Sequence, residues 1–256
     1  MKYKGLFTIF IAVVFVLIAV FTVFSVFKIK DIDVSYEVFE DDFNVVDSID
    51  GKLDDFRGKN LLFLDTDDIV GELSQYTRFE VVSIEKSYPN SLEISIKQRR
   101  DRFFVNYNGK TYIVSSDGFV VEETIGTVDG LIELKPNTSL SGNKFSFVNV
   151  AVGQFVQTTD DNAFDAMLSV VNTQGVSGIL TSVEVFSAFE TNHLIMDTAT
   201  EVNIEIVNFK NRGIEKAQAL IDRYEGINDY LKANSKIYVT ESAETGAIDA
   251  TWSSNG

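Results

Sequence analysis

An α+β fold behind one N-terminal apolar helix is what this sequence predicts, on three observations. Residues 6–27 run for 22 positions without a charge. From about residue 29 to 98, segments with period-two apolar spacing flank two stretches with helical spacing. From about residue 99 onward, short alternating segments separated by turn residues dominate, with only two helical patterns among them.

The apolar run decides where the rest of the chain lives. At about 1.5 Å of rise per residue it is roughly 33 Å long, which matches a hydrocarbon core of about 30 Å. It is longer than the roughly 7–15 residues of a signal-peptide core, and no small-x-small cleavage signal precedes Lys28. An uncleaved anchor is therefore expected. Lys2 and Lys4 put residues 1–5 in the cytoplasm by the positive-inside bias, although Lys28 and Lys30 on the far side weaken it. The formal charge is -16, of which the tail contributes +2, so residues 28–256 carry -18 and form the translocated part.

Between 29 and 98, Ile32, Val34 and Tyr36 alternate with polar residues, as a half-buried strand requires. Val46, Ile49 and Leu53 recur at helical spacing until Gly58-Lys59-Asn60 breaks the pattern. Leu61-Leu62-Phe63-Leu64 is a short apolar run, and Thr66 stands as N-cap of a second helix burying Ile69, Val70, Leu73 and Tyr76. Val82 and Ile84 alternate next, Tyr88-Pro89-Asn90-Ser91 turns the chain, and Leu92, Ile94 and Ile96 alternate again. Proline fixes φ and cannot donate to a ladder, so Pro89 belongs between strands. The expected unit is β-α-α-β-β. Its expected core is Ile32, Val34, Ile49, Leu62, Leu64, Ile69, Leu73, Ile84, Leu92, Ile94 and Ile96.

The second region, 99–241, opens with strands at 103–107 and 111–114 around Asn108-Gly109, the strongest short hairpin signal. Asp117-Gly118 turns the chain into Phe119-Val120-Val121. Residues 127–144, with Pro136 and Gly142, read as loop. Asp160 or Asp161 caps a helix whose Phe164, Met167, Leu168 and Val171 form one apolar face. Strands are expected at 179–187, 193–198 and 202–207. A longer helix follows at about 212–232, with Ile214, Ala217, Ile221 and Tyr224 on one side and Gly226 as a break or kink. Short strands at 236–240 and 247–252 end the chain, the latter inside a terminal strand or tail at 242–256.

Composition excludes several functions. The acidic excess argues against nucleic acid and against anionic headgroups as the main partner, because like charges repel. With no cysteine there is no disulfide, thiolate metal site or thiol nucleophile. His193 is the sole histidine, and its setting reads as the start of a strand, where a structural role outweighs general-base chemistry. Asp65-Thr66-Asp67-Asp68 lacks the glycine and distal glutamate of a calcium loop, so these acids are read as cap and first-turn residues. Asn137-Thr138-Ser139 is a formal glycosylation sequon of a kind common by chance. No catalytic residue, metal site or cofactor is assigned.

With these residues placed, the chain resembles the FtsQ/DivIB family of bacterial cell-division proteins. Gly58-Lys59-Asn60-Leu61-Leu62-Phe63-Leu64-Asp65 is similar to the family's glycine-x-asparagine-leucine stretch. The run from Val81 through Tyr88-Pro89-Asn90 to Ile96 is similar to its aromatic-proline hairpin, with Tyr88 where tryptophan is usual. Tyr112-Ile113-Val114-Ser115-Ser116-Asp117-Gly118-Phe119-Val120 is similar to the opening hairpin of its β domain, with Ser115 in place of a frequent aspartate; Gln98-Arg99 replaces glutamate-arginine. The resemblance covers residues 1–121 well and the remainder only by order of elements. It implies a transmembrane helix, a POTRA domain over 28–98 and a β domain over 99–241.

The function implied is a non-enzymatic divisome scaffold in the cell membrane at the septum. It would bind bitopic partners of the FtsB/DivIC and FtsL kinds and link them to septal peptidoglycan synthesis. Partner contacts are expected on the last strands, at Tyr230, Ile237, Tyr238, Val239, Thr240, Ile248 and Trp252, because a final strand often lies at an open sheet edge. Two other readings compete. A membrane-anchored envelope hydrolase would need converging carboxylates, for which no local motif selects a pair. A POTRA-bearing secretion or assembly component would ordinarily carry repeated POTRA units or a barrel, neither of which is visible.

Overall fold

A computed structural model describes residues 2–39, 43–126 and 128–254. The chain divides into two units, 1–99 and 100–256. The first begins with α1 (Lys2–Val26), of which Phe7–Val26 is long and apolar enough to cross a membrane, with none of its apolar window buried. After it come β1 (Asp31–Glu37), α2 (Phe43–Asp54), α3 (Thr66–Leu73), β2 (Phe79–Ser87) and β3 (Ser91–Gln98).

These strands form a three-stranded sheet in the order β1-β3-β2. The antiparallel β2–β3 pair is a hairpin, and β1 lies parallel to β3 from Asp31 opposite Ser91 to Glu37 opposite Lys97. A parallel neighbour cannot be reached by a tight turn, so the two helices occupy the crossover and cover one face. On that face Ile49, Leu53, Ile69 and Leu73 meet Leu92, Ile94 and Ile96, all buried.

Several expectations for this unit need correction. Leu62 is exposed and Leu61 is buried in its place, because the 61–64 run is a turn that sends residues Leu61 and Leu64 inward. Ile32, Val34 and Ile84 are only half-buried, packed against the core's rim. The cap of α3 is Asp65, whose carboxylate accepts the Asp67 N–H at 3.0 Å; Thr66 is the first helical residue. Val70 faces solvent on that helix. A register shift between Val81 and Ser83 turns Val82 outward and brings Val81 onto the core, so the alternation read at 82 and 84 is interrupted by a bulge.

The second unit contains β4 (Asp101–Tyr107), β5 (Lys110–Ser115), β6 (Val120–Thr124), β7 (Ile132–Pro136), β8 (Phe147–Asn149), β9 (Gln157–Thr158), α4 (Asp161–Val171), β10 (Leu180–Ser187), β11 (Asn192–Thr198), β12 (Asn203–Val207), α5 (Gly213–Glu225), α6 (Asp229–Lys232), β13 (Ser235–Glu241) and β14 (Ile248–Ser254). Apart from the small β8–β9 pair, these strands build one nine-stranded sheet in the order β14-β13-β12-β11-β10-β7-β4-β5-β6. The pairs β7 with β10 and β12 with β13 are parallel, and each is bridged by a helix, α4 and α5 respectively. The β4–β5 hairpin turns at Asn108 and Gly109, both at positive φ, as the two-residue primed turn demands. Where α4 meets α5, a Cβ on Gly213 would stand 2.8 Å from Val170 Cγ2, so only glycine fits there.

The 127–144 region is not all loop. β7 lies in mid-sheet between β4 and β10, with Ile132 and Leu134 buried and Pro136 at its end. Five residues of alternation beside a proline and a glycine read as loop because the strand is short; its neighbours are distant in sequence. The helix expected over 212–232 is two helices, with Gly226 closing α5. Ile214 is exposed, and Lys216 takes the inward position. The buried Lys216 ammonium donates to the carbonyls of Val207 (3.2 Å) and Asn208 (3.0 Å) at the end of β12 and lies 3.7 Å from Glu241. Burial, the largest influence, lowers its pKa from the ordinary lysine value. Asn137 is buried, with its amide donating to Glu184 at 2.6 Å, so the sequon is part of the fold.

Candidate functional site: an open sheet edge

β14 ends the nine-stranded order and pairs with β13 from Ser235 opposite Ser254 to Glu241 opposite Ile248. The hairpin turn fixes which backbone groups it exposes. The Ser242 N–H donates to the Ala247 carbonyl at 2.8 Å, in the same register. Hydrogen-bonded pairs alternate in an antiparallel ladder, so Asp249, Thr251 and Ser253 bond inward to β13. The N–H and C=O groups of Ile248, Ala250, Trp252 and Ser254 then point away from the sheet. Arg223 of α5 reaches this rim and donates from Nε to the Ala250 carbonyl at 2.6 Å. The opposite edge, β6, is partly covered, since Val120 exchanges backbone bonds with Gln154 (2.8 Å) and Gly153 (3.0 Å).

The expected contact residues separate into three groups. Ile237 and Val239 are fully buried, so their side chains belong to the core and not to a contact surface. Ile248 and Trp252 are half-buried and pack on that core from the last strand. Trp252 Nε1 is buried without a hydrogen-bond partner, an unmet donor beside the edge. Tyr238 (37 % exposed) lies on the outer face opposite Thr251, Thr240 is half-buried, and Tyr230 on α6 is 80 % exposed. Arg223 went unrecognised because its contact joins residues 27 apart on a helix and a strand; no local pattern announces it.

Beside this edge the outer face is ion-paired. Glu205 accepts from Lys236 at 2.7 Å and meets His193 Nδ1 at 2.9 Å, while His193 stacks edge-on to Phe186 at 5.6 Å. Burial pushes the Glu205 carboxyl up, but the Lys236 and His193 contacts more than offset this and hold it below the ordinary value. His193, on β11, is thus tied into a cross-strand network with Glu205 on β12 and Phe186 on β10. Among the described residues, no group of three or more His, Asp or Glu side chains has metal-holding geometry.

No family model matches the chain. Two curated relatives do: the cell division proteins DivIB of Clostridium botulinum strain Hall and strain Loch Maree. Each is 23 % identical over 175 residues, covering 68 % of this chain and 62 % of the relative. The match therefore spans less than two thirds of the relatives' length. At this identity it marks a distant similarity to DivIB proteins.

Proposed function

We propose that the chain is a non-enzymatic scaffold of the bacterial division machinery. It is anchored by α1 in the cell membrane at the septum, with its N-terminus in the cytoplasm and its bulk outside. Residues 28–98 serve as a POTRA domain and the region from 99 onward as the β domain. Supporting this reading is the distant similarity to DivIB of a chain whose large sheet ends in an open seven-residue strand. An unpaired edge offers main-chain donors and acceptors to an incoming strand, and flanking side chains set which strand is accepted. The partner is a bitopic protein of the FtsB/DivIC kind, together with an FtsL-type protein, and through them the septal peptidoglycan synthesis machinery. Tyr238, opposite Thr251 of β14, flanks the edge as an aromatic contact, and Tyr230, exposed on α6, is the second aromatic this reading assigns to the partner.

The ladder supplies the test. Ala250→Pro removes an outward N–H, and its ring closes on the edge side of the strand, where that N–H pointed. Thr251→Pro removes an N–H that bonds β13. The first variant should keep the parental thermal unfolding and lose capture of the FtsB/DivIC-type partner; the second should unfold earlier. Cells depleted of the protein should filament and be rescued by the parent but not by Ala250→Pro. A correctly folded Ala250→Pro protein that binds the partner as the parent does would remove the edge from the proposal.

A further inference from the structure

The chain leaves α1 without a free linker. Ile29 N–H donates to the Lys59 carbonyl at 2.9 Å, Gly58 N–H to that of Ile29 at 2.8 Å, and Leu61 N–H to that of Phe27 at 2.7 Å. The Asn60 side-chain amide donates to the Val23 carbonyl at 3.0 Å, and Arg57 to the carbonyl of Lys30. Val23 is in the last turn of α1; its carbonyl receives only a long bond from the Phe27 N–H (3.4 Å), and Asn60 supplies a second, shorter donor where lipid offers none. The turn between α2 and α3 is thereby laced onto the end of the apolar helix.

This turn carries side chains that water does not favour. Phe63 is 68 % exposed and Leu62 39 %, while Tyr88, from the β2–β3 turn, is 58 % exposed. The Phe63 ring lies 5.9 Å from that of Phe24, and the Tyr88 ring 6.1 Å from that of Phe27. Phe24 is two residues inside the apolar span, about 3 Å of helical rise from its end. A span of 20 residues is about 30 Å long, close to the hydrocarbon thickness, so α1 has little slack to lift Phe24 clear. Whatever depth Phe24 occupies, Phe63 must lie close to it. Lys28, Lys30 and Lys59 are exposed on the same stretch, on stems long enough to reach phosphates.

We propose that Leu62, Phe63 and Tyr88 form a docking surface for the bilayer itself, seated at the headgroup–acyl boundary of the membrane that α1 crosses. The inference rests on α1 spanning, and not on any role in division. Its occupant is phospholipid: apolar and aromatic side chains enter the interface, where amphipathic rings are favoured, and the three lysines meet phosphate oxygens, zwitterionic lipids included. The anchor then holds the first unit at a fixed attitude on the membrane instead of tethering it loosely.

The absence of cysteine makes the test direct. Phe63→Cys, Tyr88→Cys, Val82→Cys and Phe15→Cys in the full chain are labelled with one small fluorophore and reconstituted into vesicles of phosphatidylethanolamine and phosphatidylglycerol. Val82 is exposed and six strand residues from Tyr88, roughly 20 Å along β2, so it reports the aqueous case. Labels at 63 and 88 should be quenched by spin-labelled lipid and show several-fold less quenching by aqueous iodide than the label at 82. If the Phe15 label is lipid-quenched while those at 63 and 88 match the one at 82, the docking surface is refuted and the anchor stands. An iodide-accessible label at 15 would instead overturn the anchor, and the proposal with it. Where Phe63→Cys unfolds the unit, Tyr88→Cys and Leu62→Cys decide the same question.

Discussion

The three-stranded sheet of the first unit and the nine-stranded sheet of the second distribute their stability differently. In the small sheet only β3 has a neighbour on each side, and only its Leu92, Ile94 and Ile96 are fully buried; β1 and β2 contribute half-buried Ile32, Val34, Tyr36, Val81 and Ile84. In the large sheet seven strands are internal, and adjacent strands β10, β11 and β12 each bury at least two apolar side chains completely. A small unit has more surface for its volume and less apolar area to bury. Its fold therefore depends on one strand and on the helices that cover it, whereas the large sheet shares its core among many strands.

That contrast can be broken by truncation, because Trp252, the only tryptophan, reports the second unit alone while far-ultraviolet circular dichroism reports both. The largest loss is expected for Phe103→Ala, about 3–5 kcal/mol, since this ring is fully buried in β4. It should lower the Trp252 fluorescence transition and leave the remaining dichroism transition in place. Ile94→Ala should cost about 2–5 kcal/mol in the small sheet, a large fraction of the roughly 5–15 kcal/mol that holds a domain. Here the dichroism should show an early transition while Trp252 fluorescence stays parental. If both probes shift together in either variant, the units do not unfold separately.

What the sequence made legible follows the same division. Elements whose signal is local came through: the Asn108-Gly109 hairpin, the capped helix after Asp160, and the alternation of Leu92, Ile94 and Ile96. Misreadings arose where tertiary context decides. β7 is a strand because β4 and β10 pair on either side of it, at separations that no local window contains. Val82 and Leu62 misled because a bulge and a turn each shift the inward phase by one residue, and Lys216 is buried because two carbonyls at the end of β12 await its ammonium. Of the edge, the last strand could be anticipated from its order in the chain, but its outward residues and the Arg223 contact needed the register.

A middle-sized effect should come from Asp160, which caps α4 in the large unit. Its carboxylate accepts from the Ala163 N–H at 3.0 Å, the Ser187 hydroxyl at 2.6 Å and the Lys210 ammonium at 2.6 Å. Burial alone would raise its pKa, but these donors more than offset that and hold the carboxyl below its ordinary value. A depressed folded pKa contributes stability that is present above the unfolded value of about 3.9 and lost as pH falls through the folded one. Asp160→Ala should cost about 0.5–2 kcal/mol at neutral pH. The gap between variant and parent, followed by Trp252 fluorescence, should close on acidification below about pH 4. A gap that widens there would reverse the assigned sign.

The smallest effect should sharpen which face of α5 holds the large sheet together. Helical spacing from the sequence put Ile214 inward with Ala217, Ile221 and Tyr224, and truncating a buried isoleucine costs about 2–5 kcal/mol. In the structure Ile214 is 60 % exposed, and the inward face is Lys216, Ala217, Leu220, Ile221 and Tyr224. Alanine is the better helix former by a few tenths of a kcal/mol because it loses no side-chain freedom. Ile214→Ala should therefore change stability by no more than about 0.5 kcal/mol in either direction. Leu220→Ala, fully buried about 1.7 turns further on, should cost about 2–5 kcal/mol under the same fluorescence assay. If the two variants unfold alike, α5 is rotated from this placement. The argument that Lys216 is held inward by the carbonyls of Val207 and Asn208 would fail with it.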